Sequence, residues 1–147
     1  MSETTLTIIK PDAVSAGNAG KIVAHFEGEG FTVRAIRMLR LSEGQAKAFY
    51  DVHAERPFFG ELVEFMTSGA AIPIALERDD AVLHLRQVMG ATNSEEAAQG
   101  TIRNLYGTDV QCNAIHGSDS PENAALELAF FFSRTELLAG AAVGHGG

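Results

Sequence analysis

The sequence predicts an α+β domain of the ferredoxin-like class, an antiparallel sheet in βαββαβ order covered by helices, with additional helices. Three observations carry that prediction. Short β-branched and apolar runs alternate with stretches of helical period, and Gly, Pro and Ser clusters punctuate the changes. The 147 residues are enough to bury one core and leave no room for a second domain.

Taken in order, Thr5 to Lys10 reads as a strand that places Leu6, Ile8 and Lys10 on one face and delivers Lys10 at its end. Gly17 to Gly20 reads as a loop. Ile22, Val23 and Phe26 recur at helical spacing until Gly28 and Gly30 stop them. Phe31 to Leu41 reads as a long strand carrying Arg34, Arg37 and Arg40. Ser42 and Glu43 open a helix through Tyr50, and Pro57 suits the first position of another, striped by Phe58, Leu62, Phe65 and Met66. Ser68-Gly69 ends that helix. Ala70 to Leu76 is the third strand, with Pro73 predicting a bulge or an edge because it removes a ladder donor. A helix over Ala81 to Met89 follows, then capping-rich residues from Thr92 to Glu96, a short helix over Thr101 to Tyr106 and a brief strand near Cys112 to Ile115. Ser120-Pro121 begins the last helix, to about Phe132. No internal repeat or linker interrupts this pattern, so one domain is expected over residues 1–139, with a flexible tail of small residues over 140–147.

Composition narrows the partners. Eleven Lys+Arg against 19 Asp+Glu give a formal charge of -8, which argues against duplex nucleic acid or an anionic membrane surface. An anionic substrate then needs a local pocket that overrides the global sign. The single cysteine, Cys112, cannot form an internal disulfide and reads as a small buried residue. The apolar stretch around Leu6, Ile8 and Ile9 is short and runs straight into Lys10-Pro11-Asp12, so neither a signal peptide nor a membrane span is expected, and a cytoplasmic protein is the plain reading.

Common ligand signatures fail one by one. Gly20-Lys21 follows a strand and opens a helix, but a P-loop needs Gly where this chain has Ser15 and Ser or Thr where it has Ile22. Lys21 then reads as a solvated residue at a helix start. His25, His53, His84, His116 and His145 lack zinc-binding spacings. The run Asn113-Ala114-Ile115-His116-Gly117-Ser118-Asp119-Ser120 differs in kind. It sets an imidazole at a strand end beside a glycine, then hydroxyls and an acid leading into a helix N-terminus, where backbone N–H groups would face an anion. On that segment alone, a loop histidine beside a helix cap is an equal reading. Glu127 tips the balance, because it lies within the apolar stripe of Ala124, Leu128 and Phe131 and a core-facing carboxylate must be paired. Two turns into its helix, it can reach back to the loop of His116 and Ser118, as an acid orienting a nucleophilic imidazole.

The run Asn113-x-x-His116-Gly117-Ser118-Asp119-Ser120 with Glu127 downstream resembles the active-site signature of nucleoside diphosphate kinases. Ile9-Lys10-Pro11-Asp12, Arg56-Pro57-Phe58-Phe59, Met66-x-Ser68-Gly69, Met89-Gly90-Ala91-Thr92-Asn93 and Gly100-Thr101-Ile102-Arg103 extend the likeness from Thr5 to about Leu137. The resemblance implies a ping-pong transfer of the γ-phosphate of a nucleoside triphosphate, typically ATP, to a nucleoside diphosphate through a phosphohistidine on His116, with broad base tolerance. It implies that Lys10 and Asn113 contact ribose hydroxyls and that Phe58 stacks on the base. Arg86, Thr92 and Arg103 would hold the phosphates with Mg2+, an ion held mainly by the phosphates themselves. Tyr50 would lie beside the nucleophile and His53 near the phosphates, while Ser118 and Glu127 orient His116. A homo-oligomer, a dimer-based tetramer or hexamer, is also implied.

Each role suits the residue type. Phosphoryl transfer depends on alignment and electrostatic clamping, which forked Arg donors, a lysine and a metal provide. A ring stacked on a base meets its π-face and not its edge, hence the expected base tolerance. Taken singly, Phe58 could be core, Tyr50 a half-buried helix residue and Arg86 a solvated charge. A binding or signalling module without turnover and an RNA-binding βαββαβ domain are the rival readings. The complete catalytic set favours an active enzyme over the first, and the lack of a basic face with sheet aromatics argues against the second. Ser94 and Ala70 stand where the family usually has proline, which bears on assembly and on the third strand.

Overall fold

The computed structural model describes residues 2–139. The expected tail over 140–147 lies outside them. Strand β1 (Ser2–Ile9) leads into helices α1 (Pro11–Ser15) and α2 (Ala19–Gly28), then β2 (Thr32–Ile36), α3 (Glu43–Phe49) and α4 (Phe59–Met66). Strand β3 (Ile72–Asp79) follows, then α5 (Ala81–Met89), α6 (Ile102–Tyr106), β4 (Ile115–Gly117), α7 (Pro121–Phe131) and α8 (Arg134–Ala139). Single 3-10 turns at Asp51–His53 and Ser94–Glu96 complete the order.

The strands form a four-stranded sheet in the order β2-β3-β1-β4, antiparallel throughout, which is the expected α+β architecture. Helices cover both faces. Leu6 and Ile8 of β1 pack with Leu41, Tyr50, Met66, Leu128 and Phe131 on one side. Ile9, with Ile72, Ile74 and Leu76 of β3, packs with Ile22, Phe26, Leu85 and Ile102 on the other. The central strand is buried on both faces, so Thr5 and Thr7, which alternate with Leu6 and Ile8 along β1, are as fully buried as they are.

Helix starts follow their capping chemistry. Ser42 and Gln45 form a capping box on α3, and Ser120 accepts from the Asn123 backbone with Pro121 at the first helical position of α7. Among the described residues no helix is long and apolar enough to cross a membrane.

Several boundaries differ from the sequence reading. Lys10 is not the last residue of β1 but the N-cap of α1, a five-residue helix too short to show a period. α2 begins inside the expected loop, at Ala19, with Lys21 exposed. β2 stops at Ile36, and a lone bridge between Leu39 and Ala71 is what remains of the longer strand. Pro57 precedes α4 by two residues rather than opening it. Pro73 lies in an interior strand opposite Ile8, not on an edge, and the irregularity falls on the neighbouring strand between Val33 and Ala35. The Pro73 carbonyl still accepts from Arg37 N, so the ring removes a donor and leaves the acceptor in use. The last strand is β4, displaced from the expected Cys112–Ile115, because the Asp109 carboxylate captures the amides of Gln111 and Cys112 and holds them in a loop. Cys112 is therefore half-buried rather than core. α8 was not legible as an element of its own.

Candidate active site

The short strand β4 carries the candidate nucleophile. His116 sits at its middle, opposite Ile8 of β1, and its carbonyl accepts from Thr7 Oγ1 at 2.7 Å. Pairing with a buried strand fixes the backbone, and α7 then supplies the carboxylate. Glu127 Oε1 lies 2.8 Å from His116 Nε2 and accepts from the fully buried Ser118 hydroxyl at 2.7 Å. Burial pushes the Glu127 carboxyl up, but the hydrogen bond and charge of His116 and the Ser118 hydroxyl outweigh it and hold the group below the usual carboxylate range. An ionised carboxylate can only accept, so the imidazole proton belongs on Nε2, and Nδ1 is the nitrogen left with a lone pair. Two rings clamp the imidazole edge to face: Phe49 at 5.4 Å and Tyr50 at 6.1 Å. Burial, and secondarily the Glu127 charge, raises the Tyr50 hydroxyl pKa, so it stays protonated.

In front of the histidine lies a cleft of about 570 Å³ whose walls include His53, Arg86, Thr92, Arg103, His116 and Glu127. Arg86 Nη1 donates to the Gly117 carbonyl at 3.2 Å. Arg103 is buried and spans two carbonyls, Ile115 O at 2.9 Å and Gly90 O at 3.2 Å. Its Nε is buried without a hydrogen-bond partner. Burial and the neighbouring Arg86 guanidinium depress the Arg103 pKa to about 10. Two cations that repel one another across a cleft are stabilised by any anion that enters it.

A second cluster adjoins the first. The buried Lys10 ammonium donates to Asn113 Oδ1 at 2.8 Å and to the Gln111 carbonyl at 3.2 Å, and lies 5.3 Å from the centre of the Phe65 ring. Asn113 Nδ2 in turn donates to the Thr92 carbonyl at 3.0 Å, tying this cluster to the exposed Thr92 on the cleft wall. Burial lowers the Lys10 pKa to about 8, partly opposed by Asp12. Phe58 is 46% exposed and stands 5.6 Å from the His53 ring, so it is not core.

All eleven residues singled out from the sequence thus fall in two connected clusters or directly against them. Six line the cleft. Lys10 and Asn113 join through Thr92, Tyr50 sets its ring edge to face with His116, Ser118 bonds the Glu127 that holds His116, and Phe58 lies beside His53. The sequence reading passed over Phe49 and Asn123, and took Asp119 only as the acid before the helix, without its partner. Asp119 Oδ1 accepts from Asn123 Nδ2 at 2.6 Å, and that bond holds its carboxyl below the usual range. The i, i+4 spacing of the pair is the signal that could have found it. Among the described residues no group of three or more His, Cys, Asp or Glu side chains could hold a metal ion.

Comparison with known proteins gives the family. The family profile described as "Nucleoside diphosphate kinase" matches residues 3–137. A nucleoside diphosphate kinase of Campylobacter fetus subsp. fetus is 56% identical over 135 residues, covering 92% of this chain and 98% of that protein. A crystal structure of the Aquifex aeolicus nucleoside diphosphate kinase superposes with a TM-score of 0.91 at 50% identity, covering 92% of this chain and 99% of that one. A halophilic nucleoside diphosphate kinase from Halobacterium salinarum, solved in complex with CDP, gives a TM-score of 0.88 at 40% identity over 92% of this chain and 91% of that one. With a family profile over nearly its full length and relatives above half identity, this chain belongs to the nucleoside diphosphate kinase family.

Proposed function

We propose that this protein is a nucleoside diphosphate kinase that moves the γ-phosphate of ATP or another nucleoside triphosphate to a nucleoside diphosphate through a phosphohistidine on His116, maintaining triphosphate pools. The observation that carries the reading is the 2.8 Å contact between Glu127 Oε1 and His116 Nε2, which leaves Nδ1 as the nucleophile on the wall of a cleft lined by Arg86 and Arg103.

In the first half-reaction the Nδ1 lone pair forms a bond to the γ-phosphorus as the bond to the β,γ-bridging oxygen breaks, and the electron pair leaves with the diphosphate. The ring keeps its Nε2 proton and becomes cationic, and the Glu127 carboxylate stabilises that charge. The second diphosphate reverses the step. Arg86, Arg103 and Thr92 hold the phosphates, and the partnerless Nε of Arg103 supports an anion at that wall. Lys10 and Asn113 meet the ribose hydroxyls, Phe58 stacks on the base, and His53 lies toward the phosphates. Tyr50 and Ser118 keep the imidazole in place.

Mg2+ is the proposed cofactor. The donor set fits an ion that arrives on the nucleotide: Asp119, bonded to an amide rather than to a cation, is the cleft carboxylate that would approach it, and phosphate oxygens and water satisfy its octahedral demand. When bound, it neutralises charge on the transferring phosphates. A homo-oligomer built from dimers is proposed too, supported by the edge strand β2 with its exposed Ile36 and by the exposed Met38 just beyond its end. Residues 1–139 would act as one catalytic domain in the cytoplasm, without a membrane or specific nucleic-acid partner.

The test is incubation with γ-labelled ATP. Acid-labile, base-stable label on His116 that passes to an added diphosphate of a different base supports the reading. H116A transferring at the wild-type rate would overturn it.

A further inference from the structure

Two residues before the nucleophile, the backbone takes an unfavourable path. Ala114 has φ 73°, in the left-handed region, and Ile115 N donates back to Asn113 O at 2.9 Å. Together these make a γ-turn centred on Ala114, a strained form for a residue with a Cβ. Ala114 is fully buried, so water cannot satisfy its peptide groups. Residues 10 and 12 do so instead. Lys10 N donates to Ala114 O at 2.9 Å, and Ala114 N donates to Asp12 Oδ2 at 3.1 Å. Pro11, at the first helical position of α1, fixes the backbone between them. The second oxygen of Asp12, Oδ1, is buried without a hydrogen-bond partner, so a half-buried carboxylate is kept here at a desolvation cost.

We propose that Asp12 is a positioning residue, whose carboxylate oxygen locks the strained turn at Ala114 and thereby sets the height of His116 in β4. The inference rests on the phosphotransfer reading of His116. Without Asp12 Oδ2, the Ala114 N–H is a buried donor with no acceptor, and the turn relaxes toward negative φ. The imidazole is anchored to Glu127 at one end and to this backbone at the other, so a backbone shift misaligns Nδ1 for in-line attack.

Three variants test it: D12A, D12N and D12A with A114G. D12A is expected to slow first-turnover phosphorylation of His116 by roughly tenfold to a hundredfold, with nucleoside diphosphate affinity changed by less than about threefold. D12N keeps an oxygen for the Ala114 N–H and is expected to stay within about threefold of the wild-type rate. A114G relieves the penalty of positive φ, so in the D12A background it is expected to recover most of the lost rate. Hydrogen exchange at the Ala114 amide gives a readout apart from activity: D12A should accelerate it, and D12N should not. The proposal is overturned if D12A phosphorylates at the wild-type rate, if A114G restores nothing, or if Ala114 exchange is unchanged. A wild-type protein that forms no phosphohistidine would sink the functional reading instead, while the exchange measurement would still decide the role of Asp12.

Discussion

Glu127 Oε1 stands 2.8 Å from His116 Nε2 and also accepts the Ser118 hydroxyl, so a single carboxylate oxygen sets both the tautomer and the tilt of the imidazole. Because this contact is intramolecular and precedes substrate, its worth lies in the transition state. E127A is expected to cut the phosphorylation rate on the order of 100-fold while nucleotide affinity stays nearly constant. E127Q, which retains an acceptor but not the charge, should fall between. Single-turnover kinetics beside equilibrium binding separates the two quantities, and equal loss in both would count against an orienting role.

The arginine pair has a different signature. Arg103 braces two carbonyls with its fork while Arg86 stands close enough to depress its pKa. Lysine would keep the charge and lose the fork, so R103K is expected to weaken triphosphate binding by about 1.5–3 kcal/mol and also to lower the melting temperature of the free protein. R86K, at an exposed position with one backbone contact, should weaken binding without that loss of stability. Differential scanning calorimetry with and without nucleotide tells these outcomes apart.

These clusters differed in how far they could be read from sequence. Glu127 was legible because a carboxylate breaks an apolar stripe, and a helix has a period against which a break is visible. β1 and α5 were legible for the same reason. The displacement of the last strand was not, since Asp109 captures two amides by a side-chain contact that leaves no periodic trace. α1 and α8, of five and six residues, are shorter than two helical turns and offer too few positions for a stripe. The Asp12 to Ala114 bond joins residues 102 apart, and nothing local in either segment announces it. Phe58 was undecidable between core and ligand until its exposure was known.

That exposure makes Phe58 a clean probe. At 46% exposed it contributes little to the core, so F58A is expected to leave the melting temperature within a degree or two yet weaken nucleotide binding by about 1–2 kcal/mol. Stacking does not read base edges, so the loss should be similar for adenine, guanine, cytosine and uracil nucleotides. Isothermal titration across the four diphosphates measures this, and a loss confined to one base would argue that Phe58 does something other than stack.

Lys10 gives the fold a pH dependence whose sign can be worked out. Burial lowers its pKa from 10.5 to about 8 against the attraction of Asp12, with Arg103 lowering it further and Cys112 and Asp109 raising it. Between those two values the unfolded chain holds the proton and the folded chain does not, so the Lys10 contribution to stability rises with pH across about 8 to 10.5. Below about pH 8 the buried ammonium costs the free protein on the order of 3 kcal/mol, part of which an anionic ligand restores. Nucleotide should therefore stabilise the protein most below pH 8, and the rise in melting temperature on adding a diphosphate should shrink as pH passes through that value. K10M removes the titrating group, so its nucleotide-dependent shift should be smaller at pH 7 and flat from pH 7 to about 9, below the range where Arg103 begins to lose its charge. If wild type and K10M give parallel curves, the ammonium does not meet the ligand, and the alkaline weakening belongs to another group in the cleft.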